Sequence, residues 1–267
     1  MPRQQSQQND SATGQPAYRS QPYGRLYVVA VPIGHPDDIT IRAIRVLSTV
    51  HLIASEHPRA TQQLLNAHSI QTPVTSYGPV NLMEKVQVLI HRLQQGADIA
   101  LVSDCGSPLI VDPGKLLVEA AHAKEIPVVA IPGPSALIAA ITVSGVIGDS
   151  FSFYGRLPTT RSRITRVLAS GLQSVVPMIA FCTGATASHA LHVLEEVAPR
   201  RLVALACDLT MPNERIIRGT ARDLRERLLS APSEEVTLIL TERLDKTRPS
   251  RAKRSVQSLS SRRINTR

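Results

Sequence analysis

The stretch RLYVVAVPIGHPDDITIRAIRVLSTVHLIAS, residues 25–55, contains a β-α-β pattern. An apolar run over 26–31, ended by proline and glycine, predicts a buried strand. Residues 37–50 place apolar side chains at helical spacing behind two acids, which predicts a helix. The apolar run over 51–55 predicts the next strand. Such a pattern is typical of a parallel sheet with crossover helices.

The same alternation continues and restarts near residues 144–151, where two glycines interrupt it. We therefore predict two tandem α/β domains, over 25–147 and 148–243, with a ligand cleft between them. The other predicted strands cover 72–77, 98–103, 127–132, 151–154, 176–182, 201–206, 215–219 and 236–241, and the other predicted helices cover 59–68, 81–95, 114–124, 134–143, 161–172, 185–197 and 220–230.

The formal net charge of +9 is concentrated at the C-terminal end of the chain. Eight Lys or Arg against one Asp give residues 245–267 a net charge of +7, and residues 1–24 carry +1, which leaves +1 for residues 25–244. Both ends, 1–24 and 244–267, are predicted to be disordered tails. The basic tail favours loose binding of a polyanion such as RNA, and the alternative is a solvated tail that only aids solubility.

The three cysteines, Cys105, Cys182 and Cys207, lie far apart in the sequence and form no CxxC pair. This spacing predicts neither a disulfide framework nor a zinc site and fits a reducing compartment such as the cytoplasm. No apolar run approaches the roughly 18 residues that a membrane span needs. The N-terminal stretch also lacks the apolar segment of a signal peptide. We therefore predict a cytoplasmic protein without a membrane partner.

Three loops at the predicted strand ends combine proline with glycine. They are VPIGHPDD over 31–38, SDCGSPLIVDPG over 103–114 and IPGPSA over 131–136. Ligands of open α/β sheets bind beyond the carboxyl ends of the strands. Glycine lets the backbone approach a ligand closely, and proline stiffens the loop. The three loops together predict one shared ligand site.

Common phosphate, dinucleotide and nucleophile motifs are missing from these loops. The sequence contains no GxxxxGK[ST], no GxGxxG after the first strand and no GxSxG. Asp104 and Asp112 lie eight positions apart without clustered His or Cys, so we predict no metal site. Asp112 precedes Pro113 and is also a candidate N-cap of the following helix.

Three long stretches carry a resemblance to a known family. LYVVAVPIGHPDDITIRAIRVLSTVHLIASEHPR (26–59), ALVSDCGSPLIVDPG (100–114) and PVVAIPGPSALIAAITVSG (127–145) resemble the tetrapyrrole methylase superfamily. Within it they are most similar to the ribosomal RNA small subunit methyltransferase I family, over about residues 25–241. The resemblance implies a class III, S-adenosylmethionine-dependent methyltransferase of two α/β domains. It also implies a homodimer, with the cofactor in the cleft, that 2′-O-methylates a cytidine of 16S rRNA in the small ribosomal subunit.

The resemblance also assigns residues to the cofactor. Loops rich in proline and glycine can hold adenosine and methionine ends through backbone groups, so little side-chain chemistry is needed. Cys105 occupies a position where the family has alanine, which implies a small filler and not a nucleophile. The implied S-adenosylmethionine contacts are Ile33, Gly34, Asp104, Cys105, Gly106, Ser107, Ile110, Ser135, Ala136, Thr183 and Thr210.

The chain departs from the family on the substrate side. It reads EHPR at 56–59 where the family has Glu-Asp-Thr-Arg, and SYGPVN at 76–81 in place of Ser-Tyr-His-Glu-His-Asn. FCTGATASH at 181–189 and CDLTM at 207–211 likewise lack the family's polar groups. These losses leave two alternatives open: a small-molecule methyltransferase acting on a tetrapyrrole or corrinoid, and a degenerate, non-catalytic cofactor- or RNA-binding homologue.

A ribose hydroxyl is a weak nucleophile and needs a general base. The candidate catalytic residues are Glu56, His57 and Asp104. A histidine titrates in the range that suits a base, and the alternative for His57 is a solitary loop histidine. Arg59 is the candidate for binding substrate phosphate, and the alternative is an ion pair with Glu56.

Overall fold

The fold is described from a computed structural model, which covers residues 23–146 and 149–241. Contacts divide these residues into two compact units. Each unit contains one five-stranded sheet. The first unit holds residues 23–29, Ile41–Asp104 and Pro113–Ile131, and the second holds Ala30–Thr40, Cys105–Asp112 and the described residues from Pro132 onward.

The first unit is built on a parallel sheet with the strand order β3-β2-β4-β1-β5. This confirms the predicted parallel β-α units. The strands are β1 (Leu26–Val29), β2 (Leu52–Ser55), β3 (Val74–Ser76), β4 (Ile99–Val102) and β5 (Val128–Ile131), and the helices are α1 (Ile41–Thr49), α2 (Pro58–Ala67), α3 (Leu82–Gln94) and α4 (Lys115–Ala123).

Strands β2 and β4 form the centre of the first unit because every residue of both strands is buried. A strand that is covered on both faces reads as a continuous apolar run, and both sequences, LIAS and IALV, have this character. In their register Ser55 is the partner of Val102. The two strands therefore end side by side, and the residues that follow them start from neighbouring positions.

The second unit contains a mixed sheet with the order β6-β7-β10-β8-β9. Only β6 and β7 pair in parallel, and the other three pairings are antiparallel. Its strands are β6 (Ser152–Arg156), β7 (Met178–Thr183), β8 (Leu202–Cys207), β9 (Arg215–Thr220) and β10 (Glu235–Leu240), and its helices are α5 (Ala136–Ser144), α6 (Arg161–Gln173), α7 (Gly184–Val197) and α8 (Ala221–Ser230).

Helices cover both faces of this second sheet. Helices α6, α7 and α8 share one apolar core with alternate residues of β7 and β10, among them Ala180 and Leu238. Helix α5 packs on the other face, where Ala140 meets Ile179 and Ile239. The period-two alternation of strands explains how neighbouring residues of one strand enter two different cores.

Every predicted strand and helix is present, and apart from the first helix every helix starts within two residues of its predicted start. The helix expected over 37–50 begins with a 3₁₀ turn at Pro36–Asp38, and α1 starts only at Ile41 because Ile39 is extended. Asp112 does not cap α4, so that interpretation is wrong. The N-cap position belongs to Gly114, whose φ of 146° suits a residue without a Cβ.

The predicted domain limits follow chain order and stay a prediction. Most residues of the three Pro/Gly loops belong to the second unit together with α5, namely those within 30–40, 105–112 and 132–136. The predicted tails lie outside the described residues, apart from Tyr23 and Gly24. Within the described ranges, no helix has both the length and the apolar character needed to cross a bilayer.

A glycine at the start of α7 leads to a stability prediction. A Cβ on Gly184 would lie 2.0 Å from the backbone oxygen of Ser233, whereas one on Gly78 would lie 3.6 Å from its nearest neighbour. Because backbone must move to relieve the first contact, Gly184→Ala should lower the free energy of unfolding by about 2 kcal/mol or more. Urea unfolding should place the control Gly78→Ala within about 0.5 kcal/mol of wild type. Equal stability of the two variants would contradict the packing described here.

Candidate functional site

Hydrogen bonds join the three Pro/Gly loops within the second unit. The Val31 amide donates to the Gly106 carbonyl at 2.9 Å, and the Gly106 amide donates back to Val31 at 3.1 Å. The Ser107 hydroxyl donates to the Pro134 carbonyl at 3.3 Å. Gly106 has a φ of 71°, a conformation that favours glycine. A Cβ added to Gly106 would lie 3.3 Å from the Ile33 side chain. The loops therefore brace one another.

The first loop also contacts the turn between β8 and β9. The His35 amide donates to the Thr210 hydroxyl at 2.9 Å. A Cβ on Gly34 would lie 2.6 Å from that hydroxyl and 2.8 Å from the Leu209 carbonyl. Only glycine permits this approach without displacing the turn, so Gly34 is needed for packing whatever binds nearby.

These loops line a cavity of about 580 Å³ in the second unit. This size lies within the range of small-molecule sites, which is about 300–1,000 Å³. Seven of the predicted cofactor residues line it: Ile33, Cys105, Gly106, Ser107, Ile110, Ser135 and Ala136. The sequence did not assign the other lining residues to the cofactor. They are Val111, Asp112, Arg156, Phe181, Ala206, Asp208, Leu209, Met211, Asn213, Pro232, Ser233, Glu234, Glu235, Val236 and Thr237.

Asp208 is the most connected polar residue of the lining. It is 6% exposed, and one carboxylate oxygen accepts the amides of Glu234 and Glu235, both at 3.1 Å. The other oxygen accepts the Asn213 side-chain amide at 2.7 Å. A buried carboxylate needs such donors. Asp208 thus joins the turn after β8 to the segment before β10 and fixes one wall of the cavity.

The lining carries more negative than positive side chains. Asp112, Glu234 and Glu235 accompany the bonded Asp208, and Arg156 is the one Lys or Arg among the described lining residues. Arg156 lies 3.9 Å from the Glu235 carboxylate. A site of this charge favours a ligand with positive groups.

Four predicted cofactor residues are absent from the lining and stay predictions. Gly34 and Thr210 contact each other, as described above. Thr183 is the N-cap of α7, where its hydroxyl accepts the Thr186 amide at 3.3 Å. Asp104 belongs to the first unit.

The first unit brings the three candidate catalytic residues together. Because β2 and β4 end side by side, Glu56 and His57 follow one strand and Asp104 follows its neighbour. His57 Nδ1 donates a hydrogen bond to Asp104 Oδ2. Glu56 is half-buried, and one polar atom of each residue lies within 4.8 Å of the other two. The sequence named all three as candidates, but 47 positions separate His57 from Asp104, and their pairing was not predicted.

Local structure fixes the turn that carries His57. The hydroxyls of Ser55, at the end of β2, and Thr61, in α2, are 2.6 Å apart and buried. His57 is the N-cap of α2 but makes no side-chain cap, and Pro58 follows at the first helical position. The imidazole is therefore available to Asp104.

A histidine held at Nδ1 by a carboxylate presents Nε2 to a proton donor, which is the geometry of a general base. His57 is exposed, as that alternative expected, but it is not solitary, because Asp104 is its partner. The spacing of the cluster would also suit a metal ion, but exposed acidic groups adopt it commonly without one. Arg59 is exposed in the first turn of α2, and within the described residues it forms no ion pair with Glu56.

The family model for Tetrapyrrole (Corrin/Porphyrin) Methylases matches residues 25–225. The chain belongs to this family. It is 35% identical to the ribosomal RNA small subunit methyltransferase I of Thermotoga maritima, over 82% of this chain and 98% of that protein. Proteins of the same name from Synechocystis and Haemophilus influenzae are 38% and 36% identical, over 85% and 81% of this chain and 82% and 78% of theirs. The predicted resemblance is confirmed.

Solved structures share the fold at lower identity. Diphthine synthase matches with a TM-score of 0.63 at 14% identity, covering 82% of this chain and 90% of its own. Cobalt precorrin-4 methyltransferase matches with a TM-score of 0.62 at 15% identity. Uroporphyrin-III-C-methyltransferase from Thermus thermophilus matches with a TM-score of 0.58 at 20% identity. Both cover 81% of this chain and 94% of their own. The predicted α/β fold of this methyltransferase class is thereby confirmed.

Thiol labelling tests the placement of Cys105. Burial raises the pKa of the Cys182 thiol to about 12 and also raises the pKa of Cys207, whereas Cys105 is exposed in the cavity lining. Because the thiolate is the reactive form, Ellman's reagent at about pH 8 should modify one thiol in the native protein and none in Cys105→Ser. S-adenosylhomocysteine, the product that the family's methyl donor becomes after methyl transfer, should slow the reaction. If S-adenosylhomocysteine left the rate of Cys105 labelling unchanged, the ligand would bind outside this cavity.

Proposed function

We propose that the protein is an S-adenosylmethionine-dependent methyltransferase that modifies the ribose 2′-hydroxyl of a cytidine in 16S rRNA within the small ribosomal subunit. The observation that carries this proposal is its similarity, over nearly the full length of the Thermotoga maritima protein, to methyltransferases named for small-subunit ribosomal RNA. The cavity and the imidazole–carboxylate pair support it independently.

The residues of the cavity fit S-adenosylmethionine, whose sulfonium donates the methyl group. Gly106 and the small side chains of Ser107 and Ala136 leave room for backbone contact with the adenosine and methionine parts. Phe181 and Ile33 supply apolar surface for a purine ring. The excess of carboxylates suits the positive sulfonium and ammonium groups.

The proposed base is His57. Asp104 holds the imidazole through Nδ1, so Nε2 accepts the proton of the acceptor hydroxyl as that oxygen gains the methyl group. Glu56 adds negative charge beside the pair and stabilises the imidazolium that forms. Methyl transfer is otherwise a displacement that depends on orientation and on exclusion of water.

We also propose that the protein is a cytoplasmic homodimer, as its family resemblance implies. Three free thiols support the reducing compartment. The exposed apolar side chains of Ile138 and Val143 on α5 support an interface between copies, because such groups gain from burial.

Transfer of label from S-adenosylmethionine tests the proposed reaction. Small ribosomal subunits from a strain that lacks this methylation should accept methyl groups, and mass spectrometry should find 2′-O-methylcytidine. Subunits that are already methylated serve as the control. Labelling of a porphyrinoid and not of RNA would establish the tetrapyrrole alternative, and cofactor binding without any acceptor would establish the degenerate one.

Substitution of His57 tests the base. His57→Ala should lower kcat by about 10²- to 10⁴-fold while cofactor affinity stays unchanged, and Asp104→Asn should cause a smaller loss.

The exposed His122 on α4 provides the matched control, and His122→Ala should retain wild-type kinetics.

Treatment with a chelator gives a second check on the cluster of Glu56, His57 and Asp104. Activity lost to EDTA and restored by Mn²⁺ would overturn the base assignment, because the cluster would then act through a metal ion.

A further inference from the structure

Positive charge is distributed unevenly over the second unit. From Ser150 to Leu194 the chain contains four arginines and no Asp or Glu. Between Glu195 and Thr241, eight acids accompany seven arginines. The acid-free stretch includes β6, α6 and β7, and its four arginines are Arg156, Arg161, Arg163 and Arg166.

Two of these four arginines are engaged with acids. Arg161 donates to both oxygens of Glu196 on α7, each at 2.7 Å. Arg156 lies 3.9 Å from Glu235 at the cavity. Arg163 and Arg166 are exposed, and among residues 23–146 and 149–241 neither has an ion-pair partner.

The two remaining arginines form a fixed pair on α6. They are three positions apart, so their Cβ atoms are separated by roughly 5–6 Å on one side of the helix. The opposite side of α6 is anchored in the core through Ile164, Val167 and Leu168. The two guanidinium groups therefore project from a rigid element into solvent without a local counter-charge.

Helix α8 of the same unit shows the contrast. Arg222 lies 3.7 Å from Glu226, and Arg225 lies 3.0 Å from Glu195. These two acids offset Arg222 and Arg225, and surface pairs of this kind leave little net field. A basic sequence alone therefore does not distinguish α6 from α8, whereas the pairing of charges does.

We propose that Arg163 and Arg166 of α6 bind the phosphate backbone of the RNA that carries the target nucleotide. This inference rests on the proposed function, to which it adds the docking surface. Guanidinium groups bind phosphate in a bidentate manner, and two of them at this spacing suit successive phosphates. The same stretch contains Arg156 of the cavity lining, so one unit holds both the RNA contact and the cavity. The contact positions the strand and reads no bases.

The salt dependence of RNA binding tests this surface in the full-length chain. Each phosphate contact on a single strand contributes about 0.7 to the slope of log K against log salt. Arg163→Gln/Arg166→Gln should therefore lower the slope for a fluorescent single-stranded oligoribonucleotide by about 1.4. The wild type should lose about sevenfold more affinity than this variant over a fourfold rise in salt.

Two variants control for charge and folding. Arg222→Gln/Arg225→Gln on α8 removes the same formal charge from paired arginines and should leave the slope unchanged, and Arg163→Lys/Arg166→Lys should keep most of it. A wild-type slope in the α6 glutamine variant, or equal losses from α6 and α8, would overturn the docking surface. Methyl transfer to small subunits by the wild type is measured separately, so loss of the proposed function is distinguishable from loss of this contact.

Discussion

The buried carboxylate of Asp208 is the interaction on which the cavity depends. It accepts the amides of Glu234 and Glu235 and the side-chain amide of Asn213, and so it joins the turn after β8 to the start of β10. Those two segments and the three braced Pro/Gly loops all contribute lining residues. Because the carboxylate is buried and a hydrogen bond to a charged group contributes about 1.5–3 kcal/mol, the lining tolerates little variation at this position. Binding and stability are therefore coupled through one side chain.

The proposed chemistry depends on a second constraint, the parallel register of β2 and β4. Ser55 is the partner of Val102, and this places His57 and Asp104 at one sheet edge although 47 positions separate them in the chain. The family pattern has an acid and a threonine where this chain has His57 and Pro58. The histidine supplies an imidazole, and the proline starts α2 without using the imidazole as a cap. The site thus keeps a candidate base although the chain lacks several polar groups of the family pattern.

Secondary structure was largely predictable because apolar periodicity differs between strands and helices, and all eighteen predicted elements are present. Strand pairing in the second unit was not predictable. Strand β10 lies between β7 and β8, and an insertion of this kind leaves no local signal in the sequence. Seven predicted cofactor residues line the cavity because loops rich in proline and glycine mark the strand ends. Asp208 and Arg156 escaped prediction because their roles arise from partners distant in sequence.

The sequence by itself determined the order of strands and helices, the parallel first sheet, the three loops and the family, since each is encoded by local spacing or by contiguous motifs. Only the tertiary structure decided which residues meet. It paired His57 with Asp104, gave Asp208 its three donors and assigned most residues of the Pro/Gly loops to the second unit. Among the described residues it also gave Arg222 and Arg225 of α8 acidic partners, and gave none to Arg163 and Arg166. These outcomes depend on strand register and on helix orientation. Both are fixed by the packing of the whole core and not by any short stretch of the chain.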